Sequence, residues 1–397
     1  MTDNPVQFPM HRISGKVISM AKRVLPAVAI AGLATFAAGA ASAFETAAKY
    51  AILIDYQTGR ILLDKNADVS IPPASMSKLM TVYMLMEQLE AGNLKLEDTF
   101  PVSAKAWKKG GSKMFVRVNT KVAVRDLMRG IIVQSGNDAS IVVAESLGGS
   151  EEAFARRMTD RAREIGLKNS SFANATGWPD PGQRMSVHDI ARLSSLTIRN
   201  FPQYYPIYSE KSFTYNKIKQ GNRNPLLYRV KGTDGLKTGH TEEAGYGLAA
   251  SAEREGRRLV LVVAGLDSKR QRADESERLM TWGFREFRNL TLFKAGEEVE
   301  KAPVWLGADQ RLPLVVQKDV TLPVQRSKRD RMKVEVVFEG PIPAPIKKGT
   351  PLARLIIRLP DEPPMRVPLV AGNDVEALGP FGKILAVVEH MIWGQVN

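Results

Sequence analysis

The chain has 397 residues, with 56 Lys and Arg against 42 Asp and Glu, which gives a formal net charge of +14. It contains no cysteine, so disulfides, thiolate metal sites and a cysteine nucleophile are excluded. Four histidines are present, but no two have the spacing of a zinc-binding pair. A zinc hydrolase is therefore disfavoured, and we expect neither a metal ion nor an organic cofactor.

Residues 1–43 have the pattern of a secretory signal peptide. A basic stretch precedes an apolar, alanine-rich run, and the segment ends in Ala41-Ser42-Ala43, the small-x-small pattern that signal peptidase cleaves. Two alternatives stay open: an uncleaved N-terminal anchor helix, and a later start at Met10 or Met20. We predict an exported protein from which residues 1–43 have been removed.

Residues 44–290 are predicted to form the first folded domain. Strand patterns stand at its beginning and near its end, and helical patterns lie between them. The apolar run after Ser75 covers nearly all faces of a helix, which indicates a helix in the centre of the domain. This order predicts an α+β fold, an antiparallel sheet flanked by helices. The predicted segments are the hairpin Tyr50 to Leu63, the helices from Ser75, Val122 to Val133, Ala139 to Leu147, Glu151 to Ile165 and Arg272 to Phe287, and the strands Tyr246 to Ser251 and Leu259 to Ala264.

Two further segments follow the first domain. Residues 291–377 contain many Pro and Val and short apolar runs between turns, which predicts a small all-β domain. Residues 378–397 are predicted to form an amphipathic helix that is too short to cross a bilayer core of about 30 Å. We expect this helix to lie in the membrane interface as an anchor, and packing against the β-domain is the alternative. Its apolar stripe consists of Phe381, Ile384, Leu385, Val388, Met391 and Ile392.

A Ser-x-x-Lys motif stands at the predicted start of the central helix. Ser75 and Lys78 would lie one turn apart on the same face, where a Lys amine of lowered pKa can take the proton of a Ser nucleophile. The motif alone is weak evidence, because a capped helix with a surface Lys gives the same pattern. Ser19 and Lys22 repeat it within the predicted signal peptide.

Two other triplets make the motif specific. Ser135-Gly136-Asn137 follows an apolar run, and Lys237-Thr238-Gly239 precedes a predicted strand. Singly, each triplet is typical of a turn or a strand end. Together the three motifs supply a nucleophile, candidate bases, an amide and a cation, which suits acyl transfer on a peptide with a free carboxylate.

In this order the three motifs resemble those of penicillin-binding proteins and serine β-lactamases. The surrounding residues are similar to low-molecular-mass D-alanyl-D-alanine carboxypeptidases, a serine-type family of the S11 kind. That family also carries a β-rich second domain and a C-terminal amphipathic anchor, so the resemblance extends to the end of the chain. The runs that carry it are 75–81, 134–139, 222–227, 237–241 and 281–285.

The resemblance implies a role for each motif residue in removing the terminal D-Ala of peptidoglycan pentapeptides. Ser75 attacks the D-Ala-D-Ala peptide bond and Lys78 takes its proton. Ser135 and Lys237 relay a proton to the departing D-Ala, and Asn137 holds the substrate amide. Water then hydrolyses the acyl-enzyme, whereas penicillin acylates Ser75.

The resemblance also implies the residues that bind the substrate. Lys237, Thr238 and Arg223 bind the terminal carboxylate, and Gly239 completes the motif. The backbone N–H groups of Ser75 and His240 form the oxyanion hole. Arg272 aligns loosely with a further Arg near the cleft. For Arg223 and Arg272 a surface salt bridge is the alternative interpretation.

The expected partners are the D-Ala-D-Ala stem peptide of peptidoglycan, β-lactams and the inner-membrane surface, which the C-terminal helix would contact. This places the protein in the periplasm, peripherally attached to the inner membrane, with a role in wall maturation and cell shape. No nucleic acid is expected, since the chain has the charge but no recognition motif.

The sequence also bears on several alternative functions. A DD-endopeptidase uses the same chemistry and stays open. A class A β-lactamase is disfavoured because the 174–183 loop lacks the required Glu. Length disfavours a high-molecular-mass transpeptidase, and the absence of Gly-x-Ser-x-Gly disfavours a Ser-His-Asp hydrolase. The non-enzymatic alternative is a basic envelope protein that binds peptidoglycan.

Overall fold

The computed structural model describes residues 45–385. This part of the chain divides between Arg285 and Glu286 into two compact units. The predicted signal peptide and the last twelve residues of the predicted anchor helix lie outside the described residues. No helix between residues 45 and 385 is long and apolar enough to cross a membrane.

A five-stranded antiparallel sheet forms the centre of the first unit. Its strand order is β2-β1-β9-β8-β7, so β7 and β2 are the edge strands. Glu255 and Gly256, both with positive φ, make the two-residue turn between β8 and β9, the geometry that suits a tight hairpin. The bounds are β1 Tyr50–Asp55, β2 Ile61–Lys65, β7 Thr233–Thr241, β8 Gly245–Arg254 and β9 Arg257–Leu266.

Helices and two small two-stranded sheets complete the first unit. The helix after Ser75 is buried on nearly all faces, as the apolar run predicted. The helices are α1 Lys78–Glu90, α2 Ala104–Lys108, α3 Val124–Ile132, α4 Asn137–Gly148, α5 Glu151–Glu164, α6 Val187–Asn200, α7 Leu226–Arg229 and α8 Lys269–Glu286, with 3₁₀ turns at Ala74–Ser77 and Tyr205–Ser209. Two small antiparallel strand pairs join β3 Thr99–Pro101 with β4 Lys121–Ala123, which α2 separates along the chain, and β5 Ser212–Tyr215 with β6 Ile218–Gly221, which form a hairpin.

The second unit is a β-domain with its own apolar core. A six-stranded sheet has the order β14-β16-β17-β12-β11-β15, and β10 pairs with β13. The strands are β10 Phe287–Phe293, β11 Glu298–Trp305, β12 Arg311–Val316, β13 Val320–Gln325, β14 Lys333–Phe338, β15 Ile342–Pro343, β16 Pro351–Arg358 and β17 Met365–Ala371, with a 3₁₀ turn at Arg326–Arg331. Residues 380–385 are helical, with Phe381 90% exposed.

The predicted fold class is confirmed: the chain is an α+β protein with an antiparallel sheet, followed by an all-β domain and a short terminal helix. The predicted hairpin at residue 50, the five helices predicted to begin near residues 75, 122, 139, 151 and 272, and the two late strands are present with small changes at their ends. Strand β7, helices α2, α6 and α7, and the strand pairs β3–β4 and β5–β6 were not predicted. Lys237-Thr238-Gly239, expected to precede a strand, lies within β7.

Candidate active site

Ser75 and Lys78 form a hydrogen-bonded pair at the start of α1. Ser75 lies in the 3₁₀ turn Ala74–Ser77, and this turn leads directly into the helix. Lys78 Nζ donates to Ser75 Oγ at 2.8 Å and also to the backbone carbonyl of Thr176. The Lys78 side chain is fully buried, so the amine makes its hydrogen bonds to these two protein oxygens rather than to bulk water.

Burial sets the protonation of Lys78. Desolvation, aided by the positive charges of Arg223 and Lys109, lowers the pKa of the Lys78 amine from 10.5 to about 7. Asp138 and Glu151 act in the opposite direction and do not offset this effect. A large share of the amine is therefore neutral near pH 7, in the form that can accept the proton of the Ser75 hydroxyl.

A second pair of the same kind joins Ser135 to Lys237. Lys237 Nζ donates to Ser135 Oγ at 2.8 Å and to its neighbour's carbonyl, Thr238 O, at 3.1 Å. Burial, followed by the charges of Lys78 and Arg223, lowers the pKa of Lys237 well below its usual value. Ser135 has φ +60°, a costly conformation for a residue with a Cβ, and it places the hydroxyl beside the amine.

Asn137 begins α4 and holds the segment that borders the site. Its Nδ2 donates to Gly110 O at 2.8 Å, and its backbone N–H donates to Ser112 O at 2.7 Å. Within residues 45–385 the Asn137 side-chain amide makes this one hydrogen bond, and the residue is 5% exposed. We name residues 109–118 the rim loop.

Asp138 is a structural residue that the sequence analysis did not single out. Its fully buried carboxylate accepts the backbone N–H groups of Met114, Phe115 and Val116 in the rim loop, at 2.9 to 3.2 Å, and that of Ala139 at 2.9 Å. Its position directly after Ser135-Gly136-Asn137 was the sequence signal that could have identified it. Charge-assisted bonds of this kind fix the rim loop against the start of α4.

The 174–183 loop supplies the carbonyl that contacts Lys78. Asn174 Oδ1 accepts the N–H groups of Thr176 and Trp178, at 3.1 and 3.0 Å, which bends the loop back on itself. Gly177 has φ +75°, and a Cβ there would lie 2.0 Å from Ala74 O. The loop thus packs against the 3₁₀ turn that carries Ser75, and only glycine fits at position 177.

Strand β7 forms the opposite wall of the site. Gly239 packs against the turn before Ser75, since a Cβ at this position would lie 2.9 Å from Pro73 O. Thr238 is 6% exposed, whereas His240 is exposed and stacks on Tyr246 with ring centroids 3.9 Å apart. Lys237, Thr238, Gly239 and His240 therefore follow one another along an edge strand next to Ser75.

Two arginines add positive charge. Arg223 Nη1 donates to Ser112 Oγ in the rim loop at 2.6 Å. Arg272, on α8, is 8% exposed, lies over the ring of Tyr246 and has no partner for its buried Nε within residues 45–385. Neither makes an ion pair with a described acidic side chain, which disfavours the surface salt-bridge interpretation. The positive charges of both arginines help to lower the pKa of Lys237, and burial lowers the pKa of each guanidinium.

The structure thus brings Ser75 with Lys78, and Ser135 with Lys237, into two hydrogen-bonded pairs, and Lys237 lies on the edge strand β7. Among residues 45–385, no group of three or more His, Cys, Asp or Glu side chains could hold a metal ion. A serine hydroxyl beside a buried amine defines the class as a serine hydrolase that works through acyl transfer.

Comparison with known proteins identifies the family within this class. The family model described as D-alanyl-D-alanine carboxypeptidase, peptidase S11, matches residues 36–268. The chain belongs to this family of serine-type carboxypeptidases. A second model, the C-terminal domain of penicillin-binding protein 5, matches residues 287–377, which covers the β-domain.

Individual relatives agree with the family assignment. The D-alanyl-D-alanine carboxypeptidase DacA of Escherichia coli is 38% identical over 348 residues, 86% of each chain. The structure of penicillin-binding protein 5 from Haemophilus influenzae is 36% identical, with a TM-score of 0.74, and covers 84% of this chain and 98% of that one. An ampicillin-bound structure of penicillin-binding protein D2 from Listeria monocytogenes is 29% identical, with a TM-score of 0.56, over 61% of this chain and 99% of that one.

Proposed function

We propose that this enzyme removes the C-terminal D-Ala from peptidoglycan stem peptides that end in D-Ala-D-Ala, through an acyl-enzyme on Ser75. The observation that carries the proposal is the buried Lys78 amine, 2.8 Å from Ser75 Oγ and with a pKa of about 7. An amine of this kind is a competent general base at neutral pH.

In the acylation step, Ser75 Oγ attacks the carbonyl carbon between the two D-alanines while Lys78 takes the hydroxyl proton. The backbone N–H groups of Ser75 and His240 stabilise the oxyanion of the tetrahedral intermediate. Support comes from the packing of Gly239 against the turn before Ser75, which keeps the edge strand close to the nucleophile.

The leaving group needs a proton on its nitrogen. The Ser135 hydroxyl supplies it and is reprotonated by Lys237, 2.8 Å away. Asn137, which is held by the rim loop, orients the substrate amide. Water then attacks the Ser75 ester, and the free hydroxyl is regenerated with release of the shortened peptide.

The carboxylate of the terminal D-Ala binds among the cations. Lys237 and Thr238 contact it from the edge strand, and Arg223 and Arg272 contribute their positive charge. The buried Arg272 Nε has no hydrogen-bond partner in the described part of the chain, which supports this arrangement, since an anion would satisfy it.

The same site reacts with β-lactams. The relative from Listeria monocytogenes has been solved in an ampicillin-bound form. Attack of Ser75 on the lactam carbonyl opens the ring without releasing a leaving group, so the acyl-enzyme persists.

Intact-protein mass spectrometry after penicillin treatment tests the mechanism. Wild type should gain the mass of one penicillin and release D-Ala from a D-Ala-D-Ala peptide, whereas Ser75→Ala should do neither. The Ser77→Ala variant removes the neighbouring hydroxyl, which donates to Ala74 O, and should keep the adduct. An adduct on Ser75→Ala would refute the proposal.

We further propose that the protein is exported, loses residues 1–43 and lies on the periplasmic face of the inner membrane through its C-terminal segment, residues 378–397. The exposed apolar residues Phe381, Ile384 and Leu385 support a membrane-facing stripe. Deletion of residues 380–397 should move the protein from the membrane to the soluble fraction. An unchanged membrane fraction would contradict the anchor.

A further inference from the structure

Two side chains that take no part in the steps above hold Ala175, the residue before the carbonyl that contacts Lys78. Thr81 Oγ1 donates to Ala175 O at 2.8 Å, and Glu151 Oε1 accepts the Ala175 N–H at 3.3 Å. Ala175 and Thr81 are 0% exposed, and Glu151 is 5% exposed. Both backbone groups of Ala175 are therefore satisfied by buried side chains. We name Thr81 and Glu151 the base clamp.

The spacing along α1 explains how Thr81 can act on the general base. Lys78 and Thr81 lie one helical turn apart on the same face of α1. They bind two consecutive carbonyls of the 174–183 loop: Thr81 binds that of Ala175, and Lys78 binds that of Thr176. Because the two carbonyls belong to adjoining peptide units, a shift of the first moves the second away from the Lys78 amine.

Glu151 reaches the loop from the start of α5. Its other oxygen pairs with Lys105 Nζ at 3.0 Å, and the exposed neighbour Glu152 pairs with the same amine at 2.8 Å. Within residues 45–385, only Glu151 of these two acidic residues accepts a hydrogen bond from the 174–183 loop. Burial is the main cause that lowers the pKa of Lys78, and the negative charge of Glu151 opposes it. Glu151 therefore acts on the base through both a contact and a charge.

We propose that Thr81 and Glu151 are positioning residues for the general base; this step rests on the proposed function. The base clamp fixes the Thr176 carbonyl, which keeps the Lys78 amine directed at Ser75 Oγ. Without the clamp the site keeps its nucleophile and its cations, but the amine spends less time in the orientation that takes the proton. The clamp thus acts on the rate of acylation and not on the affinity for penicillin.

Removal of one hydroxyl tests the contact made by Thr81. Thr81→Val keeps the shape of the side chain and loses the bond to Ala175 O. Acylation by a fluorescent penicillin should show a saturating rate about tenfold below wild type, with an unchanged half-saturating concentration and one penicillin per chain at the end point. Thr81→Ser keeps a hydroxyl and should restore most of the rate. Thr197→Val is the control, because Thr197 is equally buried and donates at 2.8 Å within its own helix, to Leu193 O.

Two substitutions at Glu151 separate its contact from its charge. Glu151→Gln keeps an oxygen for the Ala175 N–H and removes the charge, so the saturating rate should stay near wild type while the midpoint of the acylation profile moves to lower pH. Glu151→Ala loses the acceptor as well and should lower the saturating rate, as Thr81→Val does. Glu152→Gln is the control and should change neither quantity. All of these variants leave the other charged groups near Lys78 unaltered, namely Arg223, Asp138 on α4, Lys109 in the rim loop and Lys237 on β7.

The outcomes separate the base clamp from the proposed function. A wild-type saturating rate in Thr81→Val, or an equal loss in Thr197→Val, overturns the role of Thr81. A wild-type rate in Glu151→Ala, or an unmoved midpoint in Glu151→Gln, overturns that of Glu151; if Thr81→Val labels incompletely, the Glu151 variants decide alone. In each case wild type still binds penicillin and releases D-Ala, so the carboxypeptidase activity stands. Failure of wild type to do either overturns both.

Discussion

The rate of penicillin acylation should follow the titration of Lys78. Acylation needs the neutral amine, which becomes scarce as the pH falls below its pKa of about 7. Protonation of Lys78 therefore lowers the acylation rate on the acid side, and the rate reaches a plateau on the alkaline side.

The size of the effect follows from the burial of Lys78. Lowering the pKa from 10.5 to about 7 corresponds to about 5 kcal/mol of preference for the neutral amine. About one-tenth of the amines are neutral at pH 6 and about nine-tenths at pH 8, so the rate should rise about tenfold over this interval. An amine of ordinary pKa would instead give a rise of about a hundredfold over the same interval, with no plateau.

A charge variant separates Lys78 from other titrating groups. Because the positive charge of Arg223 lowers the pKa of Lys78, Arg223→Gln should raise it and move the midpoint of the profile to higher pH. Arg156→Gln, at an exposed position on α5, should leave the midpoint unchanged. The assay is the second-order rate of acylation by a fluorescent penicillin from pH 5 to pH 9. A rate that is flat across this range, or an unmoved midpoint in Arg223→Gln, would refute the reasoning.

Two further predictions concern the segments that hold the site. Gly177→Ala should destabilise the protein by more than about 2 kcal/mol and slow acylation, because its Cβ would lie 2.0 Å from Ala74 O. The control is Gly59→Ala, at a position with a similar φ of +69° and open space around it. This control measures the loss of stability that comes from the positive φ alone. Thermal unfolding measures both variants. A similar loss of stability in Gly177→Ala and Gly59→Ala would contradict the steric argument. Asp138→Asn should cost about 2–3 kcal/mol and expose the rim loop to protease, because an amide cannot accept all four N–H groups. Unchanged stability and protease resistance would contradict it.

The sequence predicted the parts of the fold whose patterns are strong. The buried helix after Ser75 and the strand pair around Gly256 carry long apolar runs, and both are present. The hairpin of β5 and β6 was missed because its strands are short and partly exposed, with no sustained alternation. Helix α6 was missed although its N-cap Ser186 accepts from Asp189 N, since its polar residues interrupt the apolar pattern.

The candidate site divides in the same way. The three motifs consist of residues whose side chains carry the chemistry, and the two hydrogen-bonded Ser–Lys pairs are formed by side chains from these motifs. Their supporting contacts are largely made by main-chain groups, such as the N–H groups of the rim loop that bind Asp138. Main-chain groups are the same for nearly every residue type, so the sequence holds no signal for which of them reach the site.

The carbonyl of Thr176 that accepts from Lys78 limits how this enzyme can change by mutation. No substitution at position 176 deletes a backbone oxygen, so the contact that orients the amine is protected against single codon changes there. Substitutions that move this carbonyl must instead alter the path of the loop, for example at Gly177 or Asn174, and thereby risk the fold of the site. Selection for altered reactivity towards β-lactams should therefore favour changes around the pair over changes at the contact itself.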